Sequence, residues 1–542
     1  MHLDSFVQAI VLPLSGGFLL SFLLELLLRP KRTVSWKRSP AAVCIHLGLW
    51  CFLFGLELAL FARPYVAAAN VLALILFVVL VNNAKYLSLR EPFVAQDFDF
   101  FIDTLRHPRM YLPFLGIGRA VMSCAAIAGA LYAGLTLEAP LTRSLPLTAC
   151  VAGTISLSVF GSLLVWLSSK RHLPLTFEPE VDLERLGLLA SLWCYGAEER
   201  KPIRVAGAKT FAAPAVRLTG SLPDLVVVQS ESFFDARRLF PGIRPEVLCR
   251  FDRLKEAAVC HGRLEVPAWG ANTVRTEFSF LTGLGNEALG VHRFNPYRRM
   301  ARQGMPNLAG FLKRFGYRTV CVHPYPSSFY ARDKVFPVLG FDEFIDIRPM
   351  GEIPKVGQYV GDVELAEMVG GLLDARSSIH RQPLFLFVIT MENHGPLHFE
   401  SPAPEEVERY YSEPPPAGCN DLTVYLRHLA NADRMAGMLR EQMEKLGGEG
   451  WLCFYGDHPP IMSHVYDALG VPGNRTDYVI WNKKRERGPT AFMNMKVEDL
   501  GVLLTQKMGL SPTSSSRKRV LSGMADNSRR ADRSSLAGKD LR

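Results

Sequence analysis

The sequence predicts a chain in two parts, an α-helical transmembrane domain of about five spans followed by an α/β domain. Three observations lead there. The 542 residues exceed what one hydrophobic core usually organises. Long apolar runs crowd into the first third of a chain that is 49% hydrophobic overall. Beyond about Pro223, short apolar runs alternate with amphipathic stretches punctuated by Pro and Gly.

Five runs hold about 17 to 25 mostly apolar residues, enough to cross a bilayer. They are Phe6 to Leu28, Ala41 to Ala62, Tyr65 to Val81, Arg119 to Leu137 and Leu145 to Leu167. The first lacks a basic leading region and is followed by further spans, so it is not a cleaved signal peptide. The expected organisation is a transmembrane domain over 1–170, a linker over 171–220, an α/β domain over 221–510 and a disordered basic tail over 511–542, rich in Ser, Arg, Lys and Asp. Glu25 and Glu57 sit in apolar spans but toward their ends, where a carboxylate reaches interfacial water, and structural roles are expected.

The net charge of +9 comes from basic residues scattered along the chain, beside the apolar runs and in the tail. Lipid headgroups account for that placement, and no nucleic-acid partner is expected. Lys31, Arg32, Lys37 and Arg38 follow the first span, Lys85, Arg90, Arg106 and Arg109 the third, and Lys170 and Arg171 the fifth. Taken literally, the positive-inside rule places these loops, and the α/β domain with them, in the cytoplasm. The stretch Lys85 to Pro113 alternates aromatics with charges and is expected along the interface. Of ten cysteines, Cys44, Cys51, Cys124 and Cys150 fall in apolar runs, and no CxxC pair occurs, so buried apolar roles are expected.

Within the second part, Leu225 to Val228, Thr319 to Val322, Leu384 to Ile389, Trp451 to Tyr455 and Tyr478 to Trp481 are predicted strands. Asn307 to Phe315, between Pro306 and Gly316, and Tyr425 to Leu446, before Gly447 and Gly448, are predicted helices. This alternation predicts a parallel sheet, in which ligands collect at the carboxyl ends of strands. The residues that follow the strands are polar: Gln229, Ser230 and Glu231; His323; Thr390, Glu392, Asn393 and His394; Gly456, Asp457 and His458.

Glu231 with the adjacent Asp457 and His458 makes two carboxylates and one imidazole, a mixed oxygen and nitrogen set suited to Mn²⁺, Zn²⁺ or Mg²⁺. By itself a Gly-Asp-His triplet is as easily a turn; two such contributions from two strands carry the metal reading. The segment Gly270 to Phe278 supplies hydroxyls. Thr273 could attack as a nucleophile once a divalent cation lowers its pKa, with Thr276, Ser279 and Thr282 as rivals and a plain helix cap as the structural alternative.

The blocks VQSESFFD, GANTVRTEFSFLTG, HPYPSSFYARDKVFPVLGFDEF, TMENHGP and FYGDHPP, in this order and spacing, resemble those of lipoteichoic acid synthases and related phosphoglycerol transferases. These are sulfatase-like proteins of the alkaline phosphatase superfamily. The resemblance implies that Glu231, Thr273, Asp457 and His458 bind one metal, most simply Mn²⁺, with Thr273 as nucleophile. It also implies that His323, Arg332 and His394 surround the phosphoglycerol group, where Arg332 offers a fork of donors to phosphate oxygens. Arg332 could instead pair with Asp333 or another acid, and His398, without a counterpart, is expected to be structural. Two departures fall on the substrate side: Ala271-Asn-Thr-Val274 replaces Gly-Lys-Thr-Ser, and Tyr330-Ala331-Arg332-Asp333 replaces Trp-Asn-Arg-Asp.

The resemblance further implies five spans before an extracytoplasmic catalytic domain, in the cytoplasmic membrane of a bacterium and facing the periplasm or its equivalent. It thus opposes the loop charges. A transferase that draws energy from the lipid bond it exchanges needs no cytoplasmic nucleotide, and the outward placement is the one expected here. The expected donor is phosphatidylglycerol or a similar phospholipid, and the expected acceptor a glycan, polymer or lipid. Competing readings are a sulfatase or phosphodiesterase, a phosphoethanolamine transferase, and a non-catalytic receptor or scaffold. The Cys/Ser-x-Pro-x-Arg motif of typical sulfatases does not occur.

Overall fold

The computed structural model describes residues 2–30, 38–106, 117–171, 173–203, 210–212, 221–377, 382–484 and 489–510. The tail from residue 511 lies outside them, as do Lys31, Arg32, Lys37 and Arg109. The chain divides into two compact units, Met1–Pro202 and Ile203–Arg542.

The first unit is helical. Asp4–Glu25, Pro40–Phe61, Pro64–Leu89 and Leu147–Ser169 are long and apolar enough to cross a membrane. The expected span Arg119 to Leu137 coincides with a helix, Ile117–Leu137, which is not among those four. Leu12, Leu19, Leu60 and Leu147 are exposed on the helices, as lipid-facing residues are. Where helices touch, small residues permit the approach. A Cβ on Gly48 would lie 2.7 Å from the Gly161 carbonyl oxygen, and one on Gly161 would lie 2.5 Å from that of Gly48.

Both intramembrane carboxylates are engaged. Glu25 pairs with Arg38 and accepts the backbone N–H of Leu188 at 2.9 Å, and Glu57 accepts from Asn70 at 2.9 Å. The Leu188 N–H opens one of two helices, Pro179–Leu186 and Leu188–Glu199, in the stretch expected as linker; both belong to the first unit.

The second unit is an α/β domain. Its strands are β1 Asp224–Ser230, β2 Cys260–Glu265, β3 Arg318–Val322, β4 Glu343–Ile345, β5 Lys355–Val356, β6 Tyr359–Val360, β7 Leu384–Ile389, β8 Gly450–Gly456, β9 Arg475–Asn482, β10 Ala491–Phe492 and β11 Met495–Lys496. The main sheet runs β10-β2-β9-β8-β1-β7-β3-β4, with β11 also paired to β2, and β5 and β6 form a separate hairpin.

The centre, β8-β1-β7-β3-β4, is parallel as expected, but β9 is antiparallel to β8 and β2 to β9. The sheet is therefore mixed, because the β8-to-β9 connection returns the chain beside β8 instead of crossing over the sheet. Alternate residues of β1 enter opposite cores, Val226 and Val228 on one side, Leu225 and Val227 on the other. Burial on both faces is why the strand reads as an unbroken apolar run.

Candidate metal centre and nucleophile

The site forms where the central strands end. Register continues the pairing Ser230↔Gly456 so that Glu231 and Asp457 leave β1 and β8 side by side. A Cβ at Gly456 would meet the Phe233 carbonyl oxygen at 1.9 Å, so only glycine lets the Asp457 turn pass under that segment. Ser232 follows Glu231 with φ of +53°, a left-handed conformation that places two donors. Its N–H bonds Asp457 Oδ1 at 2.8 Å, and its hydroxyl bonds Glu231 Oε1 at 3.0 Å.

Glu231, Asp457 and His458 are buried and present ligand atoms within 4.8 Å of one another. His458 Nε2 lies 3.5 Å from Glu231 Oε1 and 3.4 Å from Asp457 Oδ2. The opposite nitrogen, Nδ1, is 3.1 Å from the Pro459 carbonyl oxygen and donates to it, which leaves a lone pair on Nε2. Asp457 Oδ2 and His458 Nε2 have no hydrogen-bond partner among the described residues. Two orphaned acceptors at one buried point, beside a carboxylate, are what a divalent cation would satisfy, and the residues fit one. Burial, then the neighbouring Asp457, push the Glu231 carboxyl up to about 8, a cost that bound positive charge would relieve.

Thr273 is the first residue of the helix Thr273–Thr282, preceded by Asn272 in the left-handed conformation at φ +66°. Asn tolerates that region, and its place in the Asn-Thr departure falls on a real backbone demand. One turn later, Thr276 donates to the Asp457 carbonyl at 2.8 Å, and before the helix Gly270 N–H donates to the Pro459 carbonyl at 3.1 Å. The start of the helix is thus fastened to the turn that carries two residues of the candidate cluster. Thr276, with its hydroxyl committed to that bond, is placed as a fastening, while Thr273 lies on the same helix face one turn nearer the positive end of the helix dipole.

His323 and Arg332 meet directly. Arg332 Nη1 is 3.1 Å from His323 Nε2, and His323 Nδ1 is 3.2 Å from the Ile389 carbonyl oxygen. Burial, then Arg332, hold the His323 imidazole well below its usual pKa, so it is neutral and accepts from the guanidinium. The acid that pairs with Arg332 is Glu277 and not Asp333: Nη2 to Oε2 is 2.9 Å and Nε to Oε1 is 3.4 Å. Tyr297 also donates to Glu277. Glu277 is the residue that sequence reasoning passed over; its spacing of four from Thr273, which puts both on one helix face, was the available signal.

His394 lies in the loop after β7, its Nδ1 2.8 Å from the Gly395 carbonyl oxygen and its ring edge-on to Tyr359 at 5.3 Å. Burial lowers its pKa, and Asp457 acts on it in the opposite direction. His398 is exposed and packs on Phe399.

The chain belongs to the sulfatase family, whose model matches residues 223–517. Its second unit is a sulfatase-like domain of the alkaline phosphatase superfamily, whose members bind a divalent metal, and its first unit holds four helices long and apolar enough to cross a membrane. A capsular polysaccharide biosynthesis protein of Rhizobium meliloti, RkpI, is 30% identical over 438 residues, 77% of each chain. The lipooligosaccharide phosphoethanolamine transferase EptA of Neisseria meningitidis shares the fold over 93% of this chain and 97% of its own, with TM-score 0.53 and 15% identity. The phosphoglycerol transferase GacH of Streptococcus pyogenes is also similar, with TM-score 0.43, 23% identity, and coverage of 53% of this chain and 74% of its own.

Proposed function

We infer that this protein is a membrane-anchored phosphoglycerol transferase that moves glycerophosphate from phosphatidylglycerol to a glycan, polymer or lipid acceptor through a covalent intermediate on Thr273. The observation that carries this is the fastening, through Thr276, of the helix that Thr273 begins to the turn carrying Asp457 and His458, two of the three residues of the metal-competent cluster. Glu231, Asp457 and His458, with the Thr273 hydroxyl, would hold one divalent ion, Mn²⁺ for preference. Such an ion supplies Lewis acidity, easing loss of the hydroxyl proton and offsetting charge on phosphoryl oxygens.

In the first step the Thr273 oxygen bonds to phosphorus as the bond to the diacylglycerol oxygen breaks. In the second, an acceptor hydroxyl bonds to phosphorus and the Thr273 oxygen leaves. Both steps release a proton from the attacking hydroxyl and require one at the departing oxygen. His394, whose Nδ1 is committed to Gly395, offers Nε2 for that exchange. Arg332, oriented by Glu277, keeps N–H groups for nonbridging oxygens. The glycan acceptor is supported by the relative involved in capsular polysaccharide biosynthesis, and the membrane helices suit a donor that stays in the bilayer.

The test offers headgroup-labelled phosphatidylglycerol and, separately, phosphatidylethanolamine to the full-length protein in bilayers with candidate acceptors. Transfer of label from phosphatidylglycerol supports the reading. Transfer from phosphatidylethanolamine alone replaces it with phosphoethanolamine transfer, and cleavage of sulfate esters without transfer replaces it with a sulfatase.

A further inference from the structure

The helix Asn420–Lys445 holds the loop that carries His394, and one of the side chains it uses is a buried imidazole. His428, fully buried, lies with Nδ1 2.9 Å from Glu392 Oε1 and Nε2 3.3 Å from Glu400 Oε2, the latter an ionic contact too oblique for a hydrogen bond. Asn431 donates to the same Glu392 oxygen at 2.7 Å, and the other Glu392 oxygen accepts the Asp362 backbone N–H at 2.5 Å. Arg427 adds contacts to Glu400 at 3.0 Å and to Glu406 at 2.6 Å. His394 sits between the two carboxylates that His428 bridges, two residues after one and six before the other.

We propose that His428 is a positioning residue: by bracketing Glu392 and Glu400 it fixes the loop between them and so aims His394 at the reacting oxygens. The proposal rests on the reading of His394 as the proton carrier. A core position of this kind is ordinarily filled by an aliphatic residue. Burying an imidazole against two carboxylates costs desolvation, and its return is a fixed geometry for the segments it joins. The His394 ring, which meets the Gly395 carbonyl and the Tyr359 ring, depends on its loop for direction.

The experiment measures kcat, KM and bound metal for the full-length protein in bilayers, with labelled phosphatidylglycerol, in wild type, His428→Gln, Glu400→Gln, His394→Ala and the His394→Ala/His428→Gln double variant. His428→Gln lowers kcat by about ten- to a hundredfold with KM and metal content nearly unchanged, as misaimed catalytic groups do. In the His394→Ala background the same substitution costs less than about twofold, because its effect passes through His394. Full kcat in His428→Gln beside an impaired His394→Ala overturns the proposal alone, as do losses that multiply in the double variant. Full activity in His394→Ala overturns the site reading and the proposal with it. Should His428→Gln fail to fold, Glu400→Gln, at the more exposed end of the bracket, enters the same cycle with the same expectations.

Discussion

At the residue scale the site is an arrangement of buried charges, each with a specific counterpart. Within the candidate cluster, Asp457 Oδ2 and His458 Nε2 lack a hydrogen-bond partner among the described residues, and their orphaned state gives the sharpest prediction. Glu231→Gln, Asp457→Asn and His458→Gln each lose most of the bound divalent metal by elemental analysis, since each ligand is a large share of a small set. Stoichiometric metal in all three variants excludes the site. Arg332 is occupied on two sides, by Glu277 and by His323, and a lysine cannot reproduce that fork. Arg332→Lys therefore lowers kcat/KM about tenfold or more with metal content unchanged, and an unaffected kcat/KM removes Arg332 from the phosphate site. The candidate cluster of Glu231, Asp457 and His458 was legible in the sequence because these residues follow two apolar strands. His428 was not, and Glu277 only through its helical spacing from Thr273, because their partners stand 36 and 55 residues away, brought near by the packing of helices on the sheet.

At the element scale, the predicted strands appear where apolar runs are bounded by polar residues. The strand β2 was missed because Cys-His-Gly-Arg-Leu-Glu holds few apolar residues at a sheet margin. The long helix begins at Asn420, five residues before its predicted start, since Leu422 and Val424 extend the buried face backward. On that helix, burial alone would lower the His428 pKa, but Glu392 and Glu400 overcome it and raise it to about 9 from 6.5. The raised pKa stabilises the fold fully below about 6.5, and the contribution declines above that and is gone as pH passes about 9. Thermal unfolding midpoints of wild type and His428→Gln are thus expected to differ most below pH about 6.5 and to converge by pH about 10. A gap that widens with pH contradicts the imidazolium bracket.

At the scale of the whole molecule, the helical unit and the α/β unit were separable by hydropathy alone, which marks bilayer-facing residues by composition. Sidedness was not, because the charges beside the spans and the resemblance disagree. The proposed lipid donor and glycan acceptor favour the outer side, and a topology reporter fused after Gly220 is expected to give an extracytoplasmic signal; a cytoplasmic one reverses the placement. The proposed reaction turns on Thr273. Full-length protein in bilayers containing headgroup-labelled phosphatidylglycerol, quenched with metal present and acceptor withheld, is digested and mapped by mass spectrometry. A glycerophosphate adduct is expected on the peptide carrying Thr273, absent from Thr273→Ala and present in Thr276→Val. An adduct on Thr276 or elsewhere, or full transfer activity in Thr273→Ala, would contradict the proposed reaction.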